Sequence, residues 1–310
     1  MHSATLVNPL SVDSHQHNGV HRVESTGPLL VKIGGAAIDQ ADEHPGLFQA
    51  MCDLHRAART EGDGVVLIHG GGKAVDRRLE RLGLVSERRD GIRITPPEHI
   101  DEVVAGLAGS VNKELVGRIQ RCGVPAVGLC LGDGFTAKSF KATGYMFDPG
   151  CVGEIRGGDP RLIQLLLTAG FMPVLSSIGL DEHGQPLNIN ADDAAAGLAC
   201  LLECRGLILL TDVAGVLDSS GRIIDEMTLD DAERRIASGE IRGGMIPKVR
   251  GAVQAAQASR APVTITSWND PGALLRLGRG EMAGTRVLPG DPVAGVASSS
   301  YAATPWSDLL

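Results

Sequence analysis

Aromatic residues are scarce in this chain, at 3% of 310 residues. Its interior must therefore be aliphatic, assembled from Leu, Val, Ile and Ala. Positive charge is in deficit: 29 Lys and Arg against 37 Asp and Glu leave a net charge of −8. That balance argues against a nucleic-acid partner and provides no polybasic patch for a membrane surface. A disulfide framework is also missing. Cys52, Cys122, Cys130, Cys151, Cys200 and Cys204 lie mainly within apolar segments, which reads as reduced thiols in a cytoplasmic protein. Cys200 and Cys204 share a helical face, but no His or further Cys lies near enough in sequence to complete a metal site. Residues 1–27 lack the apolar core of a secretory signal. The longest apolar stretch, 162–180, is broken by Gly170, Pro173 and two serines, so it is not a membrane span.

What is present reads as an ordinary globular composition, 43% hydrophobic and 21% charged. The 41 glycines fall mostly in short loops between apolar runs. Apolar segments at 29–33, 65–69, 126–131, 172–177, 207–210 and 263–266 predict strands, the last of these being the final clear one. Helical periodicity covers about 46–60, 73–82, 96–107, 111–122, 160–169, 190–202, 229–238 and 248–259. A hairpin is expected at 84–95 with Asp90-Gly91 at its turn, further hairpins between 135 and 155, and a turn at 181–184. This alternation predicts an α/β fold with a mainly parallel central sheet and helices on both faces. A polar tail with His2, His15, His17 and His21 is expected over 1–26, and a loose tail over 291–310.

Five pieces carry chemistry. In Val65-Val66-Leu67-Ile68-His69-Gly70-Gly71-Gly72-Lys73 a buried strand runs into three glycines and a helix start, a turn suited to an anion. It matches neither a Walker A loop, because Leu67 stands at the first glycine and Ala74 follows the lysine, nor a dinucleotide fingerprint, because Val75 stands at the last glycine. Lys32 lies inside an apolar strand just before Gly34-Gly35, where a phosphate or a structural carboxylate must neutralise it. Arg93, in Gly91-Ile92-Arg93-Ile94-Thr95, suits two-point contact with a carboxylate, although a surface arginine is equally compatible. Asn188, Asn190, Asp192 and Asp193 cluster where a strand meets a helix; an N-cap explains one Asn and one Asp, not all four. Lys248 sits at a helix start after Gly243-Gly244, a position that calls for an anion. Lysines, glycine turns, an Asp and an Arg make a phosphate-handling set, and phosphoryl transfer needs positioning and charge neutralisation above all.

Taken together, Val31-Lys32-Ile33-Gly34-Gly35, His69-Gly70-Gly71-Gly72, Gly91-Ile92-Arg93-Ile94-Thr95, Asn188-Ile189-Asn190-Ala191-Asp192, Thr211-Asp212-Val213-Ala214-Gly215-Val216 and Gly244-Met245-Ile246-Pro247-Lys248 resemble the amino-acid kinase family over roughly residues 28–288. Within it, the chain is similar to the members that phosphorylate N-acetyl-L-glutamate in arginine biosynthesis. The resemblance implies an open αββα sandwich, with an N-lobe (27–203) for acceptor binding and dimerisation and a C-lobe (204–290) for the nucleotide. It implies that Lys32 and Lys248 stabilise transition-state charge while Asp192 orients both. Gly35, Gly71, Gly72, Arg93, Asn188 and Asn190 would bind the acceptor, with Arg93 on its α-carboxylate. Asp212, Val213, Ala214, Gly215, Val216 and Leu217, with Glu240, Ile241 and Arg242, would line the nucleotide site. Mg²⁺ would come with ATP, bridging its phosphates without a direct protein ligand. The Ser267-Trp268-Asn269-Asp270 segment departs from the family pattern. Residues 1–26 lack the amphipathic helix of arginine-inhibited hexamers, so a homodimer insensitive to arginine is expected.

Rival readings within the family are kinases of aspartate, glutamate or carrier-bound aminoadipate. A regulatory module with a kinase fold is the rival from another class. It would be expected to lose one of Lys32, Asp192 and Lys248, all of which are present.

Overall fold

Strand Leu29–Ile33 lies in parallel between Val65–His69 and Gly206–Thr211, and these three form the middle of an eight-stranded sheet in a computed structural model. The structure describes residues 27–61, 63–89 and 91–290. The expected N-terminal tail with its histidines, Asp90 of the hairpin turn and the tail over 291–310 lie outside the described residues. Beyond Val65–His69 the sheet continues through Met172–Ser176 to Ala126–Cys130. On the other side it continues through Val263–Ser267 and Thr285–Val287 to Glu226–Met227. Every neighbouring pair is parallel except Val263–Ser267 with Thr285–Val287.

Successive side chains of a strand point to opposite faces. These strands are apolar at nearly every position, so both faces must be covered. Val31, Ile33, Val65, Leu67, Ile208 and Leu210 pack on one side with Leu47, Met51 and Leu54 of helix Gly46–Glu61, Leu115 and Ile119 of Asn112–Arg121, and Leu274 of Pro271–Gly278. Leu30, Val66, Ile68, Leu207, Val263 and Ile265 pack on the other with helices Arg161–Thr168, Ala191–Leu201 and Met245–Ser259. Ile155 and Ile189 join that second core from a small closed sheet made of Pro186–Ile189, Val152–Gly157, Lys138–Lys141 and Ile178–Leu180. The mixed α/β architecture with a mainly parallel sheet is thus present, with an extra β layer on one side.

Several local expectations change. The two helices expected at 96–107 and 111–122 are one unbroken helical run from Pro97 to Arg121, with a π-helical stretch over Ala105–Val111. The hairpin at 84–95 narrows to Arg88–Arg89 against Ile92–Arg93. The strands between 135 and 157 pair antiparallel and close into the small sheet, rather than standing alone as hairpins. A further strand, Thr285–Val287, follows the expected last one; three residues are too few to show periodicity. Cys204 lies beyond the end of helix Ala191–Leu201 and does not share its face with Cys200.

The register decides where chemistry can sit. Ile33 pairs with both His69 and Leu210, so the strands end level with one another. Gly34-Gly35, Gly70-Gly71-Gly72 and Asp212 consequently emerge at one edge, at the carboxyl ends of parallel strands, where α/β folds place their ligands.

Candidate active site

Gly34-Gly35 and the triglycine turn are in contact. A Cβ on Gly35 would lie 3.3 Å from Gly72 N, and the Gly70 N–H donates to the Ile33 carbonyl (3.2 Å). At Gly71 the backbone φ is +157°, and a Cβ would fall 3.0 Å from Leu107 and 3.1 Å from Val111. A side chain there would be strained in its backbone and would press on the Leu107 and Val111 side chains of the π-helical stretch. Helix Gly72–Arg81 starts at the turn, so its first N–H groups open toward the same space. Gly70, Gly71, Gly72, Asn188 and Asn190 line one cleft together with Arg88 and Arg93.

Lys32 is largely buried, with 14% of its side chain exposed, and its Nζ lies 2.8 Å from Asp192 Oδ1. Asp192 itself is 59% exposed and stands in the first turn of Ala191–Leu201. That turn is set by Asn190, whose Oδ1 accepts from Asp192 N (2.8 Å) and Asp193 N (3.3 Å). The two Asn therefore divide the work. Asn190 caps the helix, while Asn188 donates from Nδ2 to Thr95 Oγ1 (3.0 Å) across the cleft wall.

Lys248 is reached differently. It lies in the first turn of Met245–Ser259, and its Nζ is 2.5 Å from Asp212 Oδ1, with 36% and 63% of the two side chains exposed. The hydrogen bond from Lys248 holds the Asp212 carboxyl below its ordinary pKa. The anion demanded at this helix start is thus a carboxylate of the chain itself. Asp192 pairs with Lys32, whereas the partner of Lys248 is Asp212; the expectation that Asp192 orients both lysines is not what this arrangement displays.

Arg93 is 9% exposed and its fork is heavily used. Nη1 donates to Asp76 Oδ1 (2.5 Å) and to Ser86 Oγ, and Nη2 donates to the Gly72 carbonyl (2.8 Å). Arg88 Nη2 meets the other Asp76 oxygen at 2.9 Å. Burial alone would raise the Asp76 pKa, but donors from Arg93, Ser86 and Arg88 outweigh it and hold the carboxyl well below the usual range. Asp76 therefore stays ionised and locks Arg93 at the cleft. Among the described residues no hydrogen bond is taken up from Nε–H. Asp76, Ser86, Arg88 and Thr95 were not singled out by the sequence, because polar contacts across 17 or 93 positions carry no local pattern.

The loop after Gly206–Thr211 is fixed from below. Thr211 Oγ1 accepts from Val213 N (3.2 Å), and Thr285 Oγ1 accepts from Val216 N (2.8 Å). A Cβ on Gly215 would come 2.9 Å from Ile223 and Thr285. Ser219 N donates to Glu240 Oε1 (2.9 Å), joining this loop to the 240–242 segment. Glu240 also pairs with Arg235, and Arg242 Nε donates to the Gly239 carbonyl. Val216 and Ile241 are buried in the core, so only their backbones can face a ligand, whereas Leu217 is exposed. Lys73 lies outside the cleft, 3.9 Å from Asp39. Trp268, in the segment that departs from the family pattern, is buried against His44 with ring centroids 5.0 Å apart. Among the described residues no three His, Cys, Asp or Glu side chains converge as a metal-ligand set, and no helix is long and apolar enough to cross a membrane.

The chain matches the model of the amino acid kinase family over residues 28–267. It is 40% identical to an acetylglutamate kinase of Moritella profunda over 84% of this chain and 97% of that one. With the acetylglutamate kinase of Pectobacterium atrosepticum the identity is 42%, over 84% and 99%. Among solved structures, N-acetylglutamate synthase from Neisseria gonorrhoeae, complexed with coenzyme A and N-acetyl-glutamate, superposes with a TM-score of 0.70 at 21% identity. That match covers 86% of this chain and 61% of the synthase, and at such identity it bears on the fold alone.

Proposed function

Because the chain belongs to the amino acid kinase family, we infer that it transfers the γ-phosphoryl group of ATP to the side-chain carboxylate of N-acetyl-L-glutamate. The products are N-acetyl-L-glutamyl 5-phosphate and ADP, a step of arginine biosynthesis in the cytoplasm. The observation that carries the reaction class is a largely buried lysine, Lys32, at the level where two glycine turns touch. The choice of acceptor rests on the acetylglutamate kinases about 40% identical to the chain.

In this reading, N-acetyl-L-glutamate lies in the cleft lined by Gly70, Gly71, Gly72, Arg93, Asn188 and Asn190. Its α-carboxylate takes the Nε edge of Arg93, whose other donors are tied down by Asp76, Ser86 and Gly72. Asn188 donates to the acceptor from the opposite wall. The side-chain carboxylate then points toward Gly35, Gly71 and Gly72, whose N–H groups approach the phosphoryl group in flight. MgATP enters over Asp212 to Leu217 and the 240–242 segment, its metal held by phosphates and water. Lys32 meets the transferring group from the acceptor side and Lys248 from the nucleotide side. No proton must move: a carboxylate attacks, and ADP leaves as charge passes to the bridging oxygen. Asp192 and Asp212 keep the lysines extended toward the site, each ready to be exchanged for phosphate oxygens. The 27–203 segment forms the acceptor lobe and 204–290 the nucleotide lobe, and two chains associate as a homodimer.

A coupled ADP-release assay with N-acetyl-L-glutamate, glutamate, aspartate and N-acetylaminoadipate tests the reading. Turnover should be fastest with N-acetyl-L-glutamate, and equal or faster turnover with any of the others would overturn the acceptor assignment.

A further inference from the structure

His69 closes the strand that leads into the triglycine turn, yet its side chain never reaches the cleft. It is fully buried, as is Asn112 beneath it. His69 Nδ1 lies 2.8 Å from the Gly70 carbonyl oxygen. A carbonyl only accepts, so the proton must sit on Nδ1 and leave Nε2 as an acceptor. Asn112 Nδ2 stands 3.1 Å from that Nε2. The same amide nitrogen faces the carbonyls of Val174 (2.9 Å) and Leu129 (3.3 Å), which fixes it as the donor end of the side chain. Asn112 Oδ1 accepts from Lys113 Nζ at 3.0 Å. Two neighbouring strands thus set the Asn, the Asn sets the imidazole, and the imidazole holds one carbonyl. Burial pulls the His69 pKa down to about 4, which keeps the ring neutral.

The peptide group joining Gly70 and Gly71 is planar and trans, so its C=O and N–H point in opposite directions. A Gly70 carbonyl held toward the interior by His69 turns the Gly71 N–H outward, to the side on which Gly70, Gly71 and Gly72 line the cleft. Glycines on both sides leave this peptide free to rotate unless something pins it. We propose that His69 is a positioning residue for phosphoryl transfer: through the Gly70 carbonyl it aims the Gly71 N–H at the reacting oxygens, with Asn112 fixing its tautomer. The proposal rests on the phosphoryl-transfer reading above.

Two substitutions separate the hydrogen bonds. His69→Asn places an amide donor near the position of Nδ1 and keeps the bond to Gly70. His69→Gln places an amide oxygen near Nε2, keeps the bond from Asn112 and loses the one to Gly70. His69→Gln should lower kcat by about 10²-fold with KM for ATP and acceptor nearly unchanged. His69→Asn should recover most of that loss even where thermal unfolding reports equal destabilisation. Equal losses of kcat in both variants, following stability, would overturn the proposal. In ¹⁵N-labelled wild-type protein, the His69 ring should carry its proton on Nδ1 and not titrate between about pH 5 and 8. A proton on Nε2 would also overturn it. The wild-type ADP-release assay is read separately. No turnover there refutes the phosphoryl-transfer reading, while the nitrogen spectrum still reports on the hydrogen bond.

Discussion

The two lysines of the site carry the same charge on different foundations. Lys32 stands in the middle of the sheet, its backbone paired on both sides with Leu209 and Ile68, and only the tip of its side chain reaches Asp192. Lys248 stands on a helix, more than twice as exposed, and its direction is given by one ion pair with Asp212. Sheet register places the first to within the precision of the core. An exposed pair, screened by water and salt, places the second. On the proposed reading, the acceptor side is pre-built and the nucleotide side is assembled around what binds. Catalytic charge must be pre-aimed to act at the transition state without reorganisation, so the rigid lysine should carry the larger share of kcat.

Removal of each charge tests that asymmetry most strongly. Lys32→Ala should lower kcat by about 10²–10³-fold, the cost of losing a preorganised donor to developing charge, with a smaller change in KM. Lys248→Ala should lower kcat less and raise the KM for ATP more, because its charge is partly organised by the nucleotide. Asp212→Asn should reproduce the KM part of the Lys248 effect while sparing kcat. Steady-state kinetics with both substrates varied give the answer. A larger kcat loss in Lys248→Ala than in Lys32→Ala would reverse the comparison.

The lysines were legible in the sequence, and their partners only in part. An apolar strand carrying one Lys before two glycines announces a buried charge, because burial without a counter-ion is so costly. A different argument, the unfavourable placement of a cation at a helix N-terminus, found Lys248. Neither argument says which carboxylate answers, because that depends on which strand ends lie level. Ile33, His69 and Leu210 are far apart in sequence and share one level only through sheet register. The acidic run at 192–193 was visible as a capping pattern, and Asn190 does cap that helix. Asp76 was invisible for the opposite reason: it looks like any polar residue on the exposed face of helix Gly72–Arg81, and its role comes from a hairpin folding back to deliver Arg88 and Arg93. The alternating strands and helices gave the α/β class, whereas strands of two or three residues left no period to read.

Acid tests the buried support at the two ends of strand Val65–His69. His55 and His69 are both buried, and burial brings each pKa down to about 4 from an ordinary value of 6.5. Both stay neutral in the folded chain between those values, while the unfolded chain takes up protons. Stability is therefore fully present above about pH 6.5 and declines as pH falls toward 4, by about 3 kcal/mol per histidine at most. Urea midpoints measured from pH 7.5 to 4.5 should fall steadily, and His69→Asn should flatten the curve by roughly one proton's worth. The Lys248–Asp212 pair adds little to this slope: its lowered Asp212 carboxyl contributes stability that is lost mainly below the ordinary carboxylate pKa, at the acid end of the window. A midpoint independent of pH over that window would show that these imidazoles are not buried as neutral rings.

The smallest effect belongs to the third lysine. Lys73 directly follows the three glycines and looks, by sequence, like the natural charge for a phosphate held there. Its side chain is 63% exposed, and its Nζ lies 3.9 Å from Asp39, a carboxylate already bonded by Arg77 at 2.9 Å. An exposed ion pair of that length contributes about 0–1 kcal/mol, and Arg77 keeps Asp39 neutralised without it. Lys73→Ala should therefore leave kcat and both KM values within about twofold of wild type and shift stability by less than about 0.5 kcal/mol. A kcat loss comparable to that of Lys32→Ala would instead place the triglycine turn on the nucleotide side, with Lys73 as its phosphate ligand, and the division between a pre-built acceptor wall and a bound-in nucleotide wall would have to be redrawn.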